Sequence, residues 1–175
     1  QSYRMNGTDA QRWKIGEESL TSIEGATITT ADEFAKYYNS KKKSYPYSRN
    51  SEAPTIEKFA QIYIEECNAE GIRAEVAFCQ AMKETGWLQF GGDVKANQYN
   101  FAGIGATGGG KPGHSFGSIR TGIRAHVQHL KAYANKEALR NTCVDPRFSY
   151  VTRGTAPYVE WLGIKANPYG KGWAP

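Results

Sequence analysis

Glu84 is the acidic residue whose setting most suggests chemistry. It closes the run that starts Arg73-Ala-Glu-Val-Ala-Phe, where Ala74, Ala77, Phe78 and Ala81 form the inner face of a helix predicted from Arg73 to Thr85. Gly86 then supplies a residue able to take the left-handed C-terminal conformation. Glu84 shares the face of Ala77, Gln80 and Ala81, and Trp87 and Leu88 continue that apolar surface. Desolvation there disfavours the carboxylate, and the carbonyl end of the helix acts in the same sense. Together they lift a glutamate from about 4.3 toward about 6, where it can stay protonated and pass its proton to a leaving oxygen. The alternative is a structural glutamate bent outward to Lys83 or a surface arginine.

The other candidate groups point to less chemistry. His126 and His129 lie three apart on a predicted helix, with His114 nearby, but that helix has no HExxH and no carboxylate before Glu137. Both read as hydrogen-bonded histidines beside the apolar stripe rather than as metal ligands. Gly103-Ile-Gly105-Ala-Thr-Gly108 fits GxGxxG, and Gly105 to Lys111 fits a phosphate-binding loop until Pro112 replaces the required Ser or Thr. Pro112-Gly113 breaks the chain where a helix would have to open, which disfavours nucleotide binding. Cys67, Cys79 and Cys143 have no CxxC spacing, and two of them fall on apolar faces of predicted helices. Neither a disulfide framework nor thiol catalysis is implied, and no metal or cofactor is called for.

These residues must be positioned by a mainly helical α+β fold. Thr30-Ala-Asp-Glu33 is a capping box for a helix from Ala31 to about Asn39. Ile56, Phe59, Ala60, Tyr63, Ile64 and Cys67 form the stripe of a second helix that stops near Gly71, and Ser118 caps one whose stripe runs from Ile119 to Tyr133 or Ala134. Between Gly91 and Gly117 there are nine glycines, which predicts a flap with short strands over Val94–Ile104 and His114–Phe116. Thr155-Ala-Pro157 opens a short helix through Leu162. Residues 1–28 read as an N-terminal extension or linker, with one short strand at Ser22–Ile28. The start at Gln1 suits a trimmed or mature fragment, and no stretch is apolar enough to span a membrane.

At 175 residues with 39% hydrophobic and 13% aromatic residues, the chain falls outside the disordered class. Its net charge of +5 conceals an asymmetry: residues 1–93 hold 11 bases and 14 acids, and residues 94–175 hold 11 bases and 3 acids. A basic second half attracts polyanions, nucleic acid or an envelope polymer, unless it is simply a solvated face. The aromatics are not interleaved with these bases as in a nucleic-acid module.

Glu84-Thr-Gly-Trp87 at a helix end, followed by Asn97-Gln-Tyr-Asn-Phe-Ala-Gly-Ile104, resembles the bacterial glucosaminidases of glycoside hydrolase family 73, with their Glu-Ser/Thr-Gly-Trp and Asn-x-Phe-Gly-Ile motifs. Gly122–Leu130, Asp145-Pro-Arg-Phe148 and Arg153-Gly-Thr-Ala-Pro157 resemble one branch of that family. The resemblance runs from about Thr29 to the C-terminus, so residues 29–175 are expected to form the catalytic domain. It implies a lysozyme-like fold with a small β-lobe or flap, and action outside the cell, in the bacterial wall. The expected reaction is cleavage of the β-1,4 bond between N-acetylglucosamine and N-acetylmuramic acid of peptidoglycan. By the same resemblance Glu84 is the general acid, and Trp87, Asn100 and Phe101 line the sugar cleft. Tyr99 and Tyr158 are further aromatics suited to stacking on sugar rings.

Two departures from the family pattern matter. Ala102 is inserted before Gly103, and no acid occurs from Val94 to Lys136. The second carboxylate of an ordinary glycosidase would therefore be Asp93 or Glu160, unless Asp93 merely ties down the Gly91-Gly92 turn and Glu160 is a surface residue. A substrate bearing a 2-acetamido group removes the need, because its carbonyl oxygen can attack the anomeric carbon. The expected partners are peptidoglycan glycan strands and anionic wall polymers, with the protein a monomer and no nucleic acid involved. The rival readings are a non-catalytic wall- or polyanion-binding module on this fold, and a muramidase or lytic transglycosylase.

Overall fold

The computed structural model describes residues 19–174, so residues 1–18 of the expected extension lie outside the described residues. Four helices carry the fold: α1 (Ala31–Ser40), α2 (Ile56–Glu70), α3 (Ala74–Thr85) and α4 (Ile119–Ala134). α2 packs against each of the other three. Their ends follow local chemistry. Thr30 and Glu33 form the expected reciprocal capping box, Thr55 accepts from the Lys58 amide, and Gly71 and Gly86 close α2 and α3 in the left-handed conformation.

Arg73 makes no side-chain cap on α3; Thr27 Oγ1 accepts the Ala74 amide at 2.8 Å instead. The Glu75 carboxylate takes the Ile28 and Thr29 amides, and Ile23 is fully buried. Residues 21–29 are thereby laid along α3. The strand expected at Ser22–Ile28 is reduced to single bridges, Ser22 to Tyr158 and Glu24 to Ile72.

The architecture is mainly α, as expected, with a minor β component. Among the described residues pairing occurs only as isolated bridges. Val94–Ile104 contains a 3-10 turn, Ala96–Gln98, and His114–Phe116 has no strand partner. Side-chain amides do the work of a ladder there. Gln98 donates to the Pro112 and His114 carbonyls, and Asn100 binds the Ile104 amide and carbonyl as well as the His114 carbonyl. Likewise the short helix after Pro157 is a 3-10 turn, Val159–Leu162.

α4 crosses the interior: twelve of its sixteen residues are buried, several of them polar. His126 is fully enclosed, with Nδ1 2.8 Å from the Tyr63 hydroxyl and Nε2 2.8 Å from Gln80 Oε1. Burial pushes its pKa down to about 3, so it is neutral, donating to Gln80 and accepting from Tyr63. Gln128 clamps the Thr142 carbonyl and the Val144 amide. Lys131 donates to Glu70 at 2.9 Å, both side chains being almost wholly buried, and to the Ala138 carbonyl. Gly122 has no side chain because the Tyr99 carbonyl occupies the place of a Cβ. The carbonyl end of α4 is received by Arg153, Gly154 and Ala156, which accounts structurally for the Arg153–Pro157 motif.

Three bases of the second half, Arg120, Arg124 and Lys131, are paired with acids of α2. Arg120 pairs with Glu65 and Glu66, and Arg124 with Glu66. Burial alone would raise the Glu66 pKa, but these guanidinium bonds outweigh it and hold the carboxyl below its ordinary range. Of the cysteines, Cys67 is a buried hydrophobe. Cys79, expected on an apolar face, is exposed because its side of α3 borders a cleft rather than the core.

Replacing Lys131 with Met leaves Glu70 charged and buried with only backbone donors, and should cost about 3–5 kcal/mol of stability. Urea unfolding of Lys131→Met against wild type measures this.

Candidate active site

The site is built around the end of α3. After Gly86 the backbone stays left-handed at Trp87 (φ 61°), Leu88 (φ 63°) and Phe90 (φ 53°), a conformation that costs bulky residues on the order of 1–3 kcal/mol each. Thr85 organises this turn. Its hydroxyl donates to the Ala81 carbonyl at 2.7 Å and accepts the Leu88 amide at 2.9 Å, and its carbonyl accepts the Gln89 and Phe90 amides. The Trp87 carbonyl is held by the Tyr38 hydroxyl and the Gln89 amide group. Leu88 and Phe90 are thereby driven into the core, and Gly91 to Val94 fold back to form a wall facing Glu84.

Two cavities meet at Glu84. One, of about 220 Å³, is lined by Glu84, Asp93, Asn100, Gly103 and Ala106 among others. The other, of about 600 Å³, runs along α3 past Val76, Cys79 and Gln80 to Leu162 and Trp173. Glu84 is not packed inside, as the helix face had suggested; it is exposed, because the chain turns away after Thr85 and leaves the last turn of α3 overhanging the cleft. Its carboxyl is nonetheless partly shielded. Gly103 passes so close that a Cβ there would lie 3.6 Å from Glu84 Oε1, and its φ of +64° suits glycine. Desolvation by these walls raises the Glu84 pKa, opposed only by the Lys83 charge.

Of the expected site residues, the structure brings Glu84, Asp93 and Asn100 to one cavity. Asp93 Oδ2 accepts the Gly110 amide at 3.2 Å and so ties the flap to the cavity wall, rather than securing the Gly91-Gly92 turn. Asn100 is buried, its amide committed to the loop backbone. Glu160 stands elsewhere: it lines neither cavity, and its carboxylate takes the Thr21 amide at 2.8 Å. Burial would raise the Glu160 pKa, but that amide and its own outweigh it and hold the group low.

The expected aromatics line neither cavity. Phe101 is fully buried with its ring 5.1 Å from that of Phe59, which leaves it no face for a sugar. Tyr99 packs on Tyr47 and accepts from Asn50. Trp87 lies against Tyr37 under the Lys41 ammonium, and Tyr158 meets the edge of Trp161. The aromatics that do line the two cavities are Phe90 in the first and Trp173 in the one along α3, neither of which the sequence motifs single out.

A family model described as mannosyl-glycoprotein endo-beta-N-acetylglucosaminidase, the Glucosaminidase family, matches residues 60–172. The chain belongs to that family. This makes it a glycoside hydrolase domain of family 73, and the matched span holds Glu84, Asp93, Asn100 and most of the cleft. The chain is also 46% identical over 104 residues to a Borreliella burgdorferi protein described as uncharacterized, a match covering 59% of this chain and 51% of the relative. The chain thus spans about half the length of that relative. No solved structure matches it significantly.

Thr85 should be as necessary to the protein as its position implies. Thr85→Val leaves the Leu88 amide buried without an acceptor and should lower stability by about 1–3 kcal/mol, whereas Thr85→Ser should hold near wild type. Thermal melting of the two variants, with turnover measured alongside, provides the comparison.

Proposed function

We propose that this glucosaminidase hydrolyses the β-1,4 bond between N-acetylglucosamine and N-acetylmuramic acid of peptidoglycan, with Glu84 as its general acid. The observation that carries the reading is the position of one carboxyl group at the junction of two cavities, with its proton affinity raised by the walls around it. A group so placed can reach a glycosidic oxygen in the cleft and holds its proton more firmly than an ordinary glutamate. The catalytic unit is residues 29–175, acting in the bacterial cell wall outside the cell. Among the described residues no helix is long and apolar enough to cross a membrane.

Glu84 protonates the leaving oxygen while the 2-acetamido carbonyl of the cleaved sugar attacks the anomeric carbon. Glu84 then takes a proton from the water that opens the cyclic intermediate. Asp93 supports this sequence from the same cavity by holding the flap through Gly110, and of the two expected second carboxylates it is the one that shares a cavity with Glu84. With Arg120, Arg124 and Lys131 paired internally, Lys95, Lys111 and Lys136 remain from the acid-free window for attraction to anionic wall polymers.

Purified peptidoglycan digested by the wild type, reduced with borohydride and analysed by mass spectrometry should yield reduced N-acetylglucosamine ends. Glu84→Gln should lose about 10²–10⁴-fold in turnover. Reduced muramic acid ends would make the protein a muramidase, anhydro ends a transglycosylase, and no new ends from folded protein a binding module. Because Glu84 must be protonated to act, kcat/KM should fall as pH rises through its elevated pKa, and this limb should vanish in Glu84→Gln. Asp93→Asn distinguishes the routes: under acetamido participation it should cost less than about tenfold, and a loss as deep as that of Glu84→Gln would make Asp93 the catalytic base.

A further inference from the structure

Gly103 and Ala106, which line the first cavity beside Glu84, also line a third cavity of about 220 Å³, and Trp173 is common to this one and the cavity along α3. The first and third recesses therefore share the Gly103–Ala106 backbone as a wall, and the cavity along α3 joins the first at Glu84 and the third at Trp173. The third is furnished differently from the other two. Tyr133 and Trp173 stack at 17° with ring centres 5.8 Å apart, and the His129 ring stands edge-on to Trp173 at 4.6 Å. His129 Nδ1 is 2.7 Å from Asp145 Oδ2, and the Asp145 side chain is fully buried. Asp145 Oδ1 accepts the Arg147 amide at 2.8 Å, so one carboxylate orients the imidazole and anchors the arginine's backbone. Arg147 lies with its guanidinium over the exposed ring of Tyr150, and no carboxylate pairs with it among the described residues. This is the environment of the Asp145-Pro-Arg-Phe148 motif, which the chemistry at Glu84 does not use.

We propose that this cavity is a subsite for a carboxylate-bearing sugar of the glycan strand. The inference rests on the peptidoglycan reading above and specifies which sugar sits beyond the Gly103–Ala106 backbone. Aromatic rings offer the apolar face that a pyranose needs. The guanidinium is a planar fork that matches a carboxylate with two parallel hydrogen bonds. His129, with Nδ1–H directed to Asp145, keeps Nε2 for a sugar hydroxyl; among the described residues that nitrogen has no protein partner. An uncharged N-acetylglucosamine would leave the guanidinium without a partner, whereas a muramoyl residue carries its carboxylate on the lactyl ether or on the attached stem peptide.

The test uses the Glu84→Gln protein, so that ligands stay intact, and measures binding by calorimetry. Three ligands are compared: a neutral tetramer of N-acetylglucosamine, a tetrasaccharide of alternating N-acetylglucosamine and N-acetylmuramic acid with free lactyl carboxylates, and the same tetrasaccharide bearing stem peptides. Adding Arg147→Gln should weaken a muramoyl ligand about tenfold more than the neutral tetramer, and Arg147→Lys should recover only part of the difference. Selective loss on the peptide-free ligand assigns the lactyl carboxylate; selective loss confined to the peptide-bearing ligand assigns the stem peptide. Equal losses on neutral and anionic ligands, or no loss on either muramoyl ligand, would overturn the subsite while leaving the glucosaminidase reading intact. Failure of the Glu84→Gln parent to bind any of the three would overturn both.

Discussion

The structure depends on burying a helix that is not apolar enough to be buried on hydrophobicity alone. α4 crosses the core carrying His126, Gln128, His129 and Lys131 on its enclosed faces. Each unpaired polar group there would cost on the order of 1–3 kcal/mol, more for a charge. Every one of the four is answered, and the answers determine where the rest of the chain goes. Glu70 from α2 and the Ala138 carbonyl receive Lys131, the loop through Thr142 and Val144 closes on Gln128, and Asp145 meets His129. The long irregular segment after α4 is thus held by side chains of the helix it follows. At the other end, the absent side chain of Gly122 admits the Tyr99 carbonyl and lets the glycine-rich flap lie directly against α4.

That arrangement reaches the cleft through His126. With Tyr63 on one ring nitrogen and Gln80 on the other, it links α2 to a residue of the cavity along α3. The flap obeys the same rule in another form: Gln98 and Asn100 satisfy backbone groups that a paired strand would have satisfied. A loop held by side-chain amides can pass Glu84 without a neighbouring strand on its cleft side, which leaves the carboxyl open to a long ligand. The strained turn at Trp87, Leu88 and Phe90 belongs to the same design, because it clears the space beyond the last turn of α3.

The sequence made the helices legible and the cleft only partly so. Caps and apolar spacing are local properties, and Thr30 with Glu33, Gly71, Gly86 and Ser118 all stand at helix boundaries as expected. The expected flap strands do not form because apolar residues among glycines suit a strand or a loop, and the difference lies in where two amide side chains point. The aromatics show the limit most clearly. Phe101 and Trp173 look alike as isolated letters, but one is packed against Phe59 and the other faces the cleft, a matter of which distant segments meet. Thr85 was readable in principle: a hydroxyl followed by glycine at a helix end is the composition of a hydrogen-bonded turn.

Glu84 shows why a face count along a helix misjudges a functional carboxyl. Full burial would raise its proton affinity further but would close it to substrate, and full exposure would return it to an ordinary glutamate. The structure reaches an intermediate state by means invisible in the helix itself. The partial desolvation comes from flap backbone at Gly103 and from the wall at Gly91 and Gly92, surfaces that contribute no opposing charge. The guanidinium groups of Arg120 and Arg124, which would depress a nearby carboxylate, are engaged by Glu65 and Glu66 instead. The acidic first half and basic second half of the chain therefore meet at the α2–α4 contact, away from Glu84, and of the surrounding charges only Lys83 works against its proton.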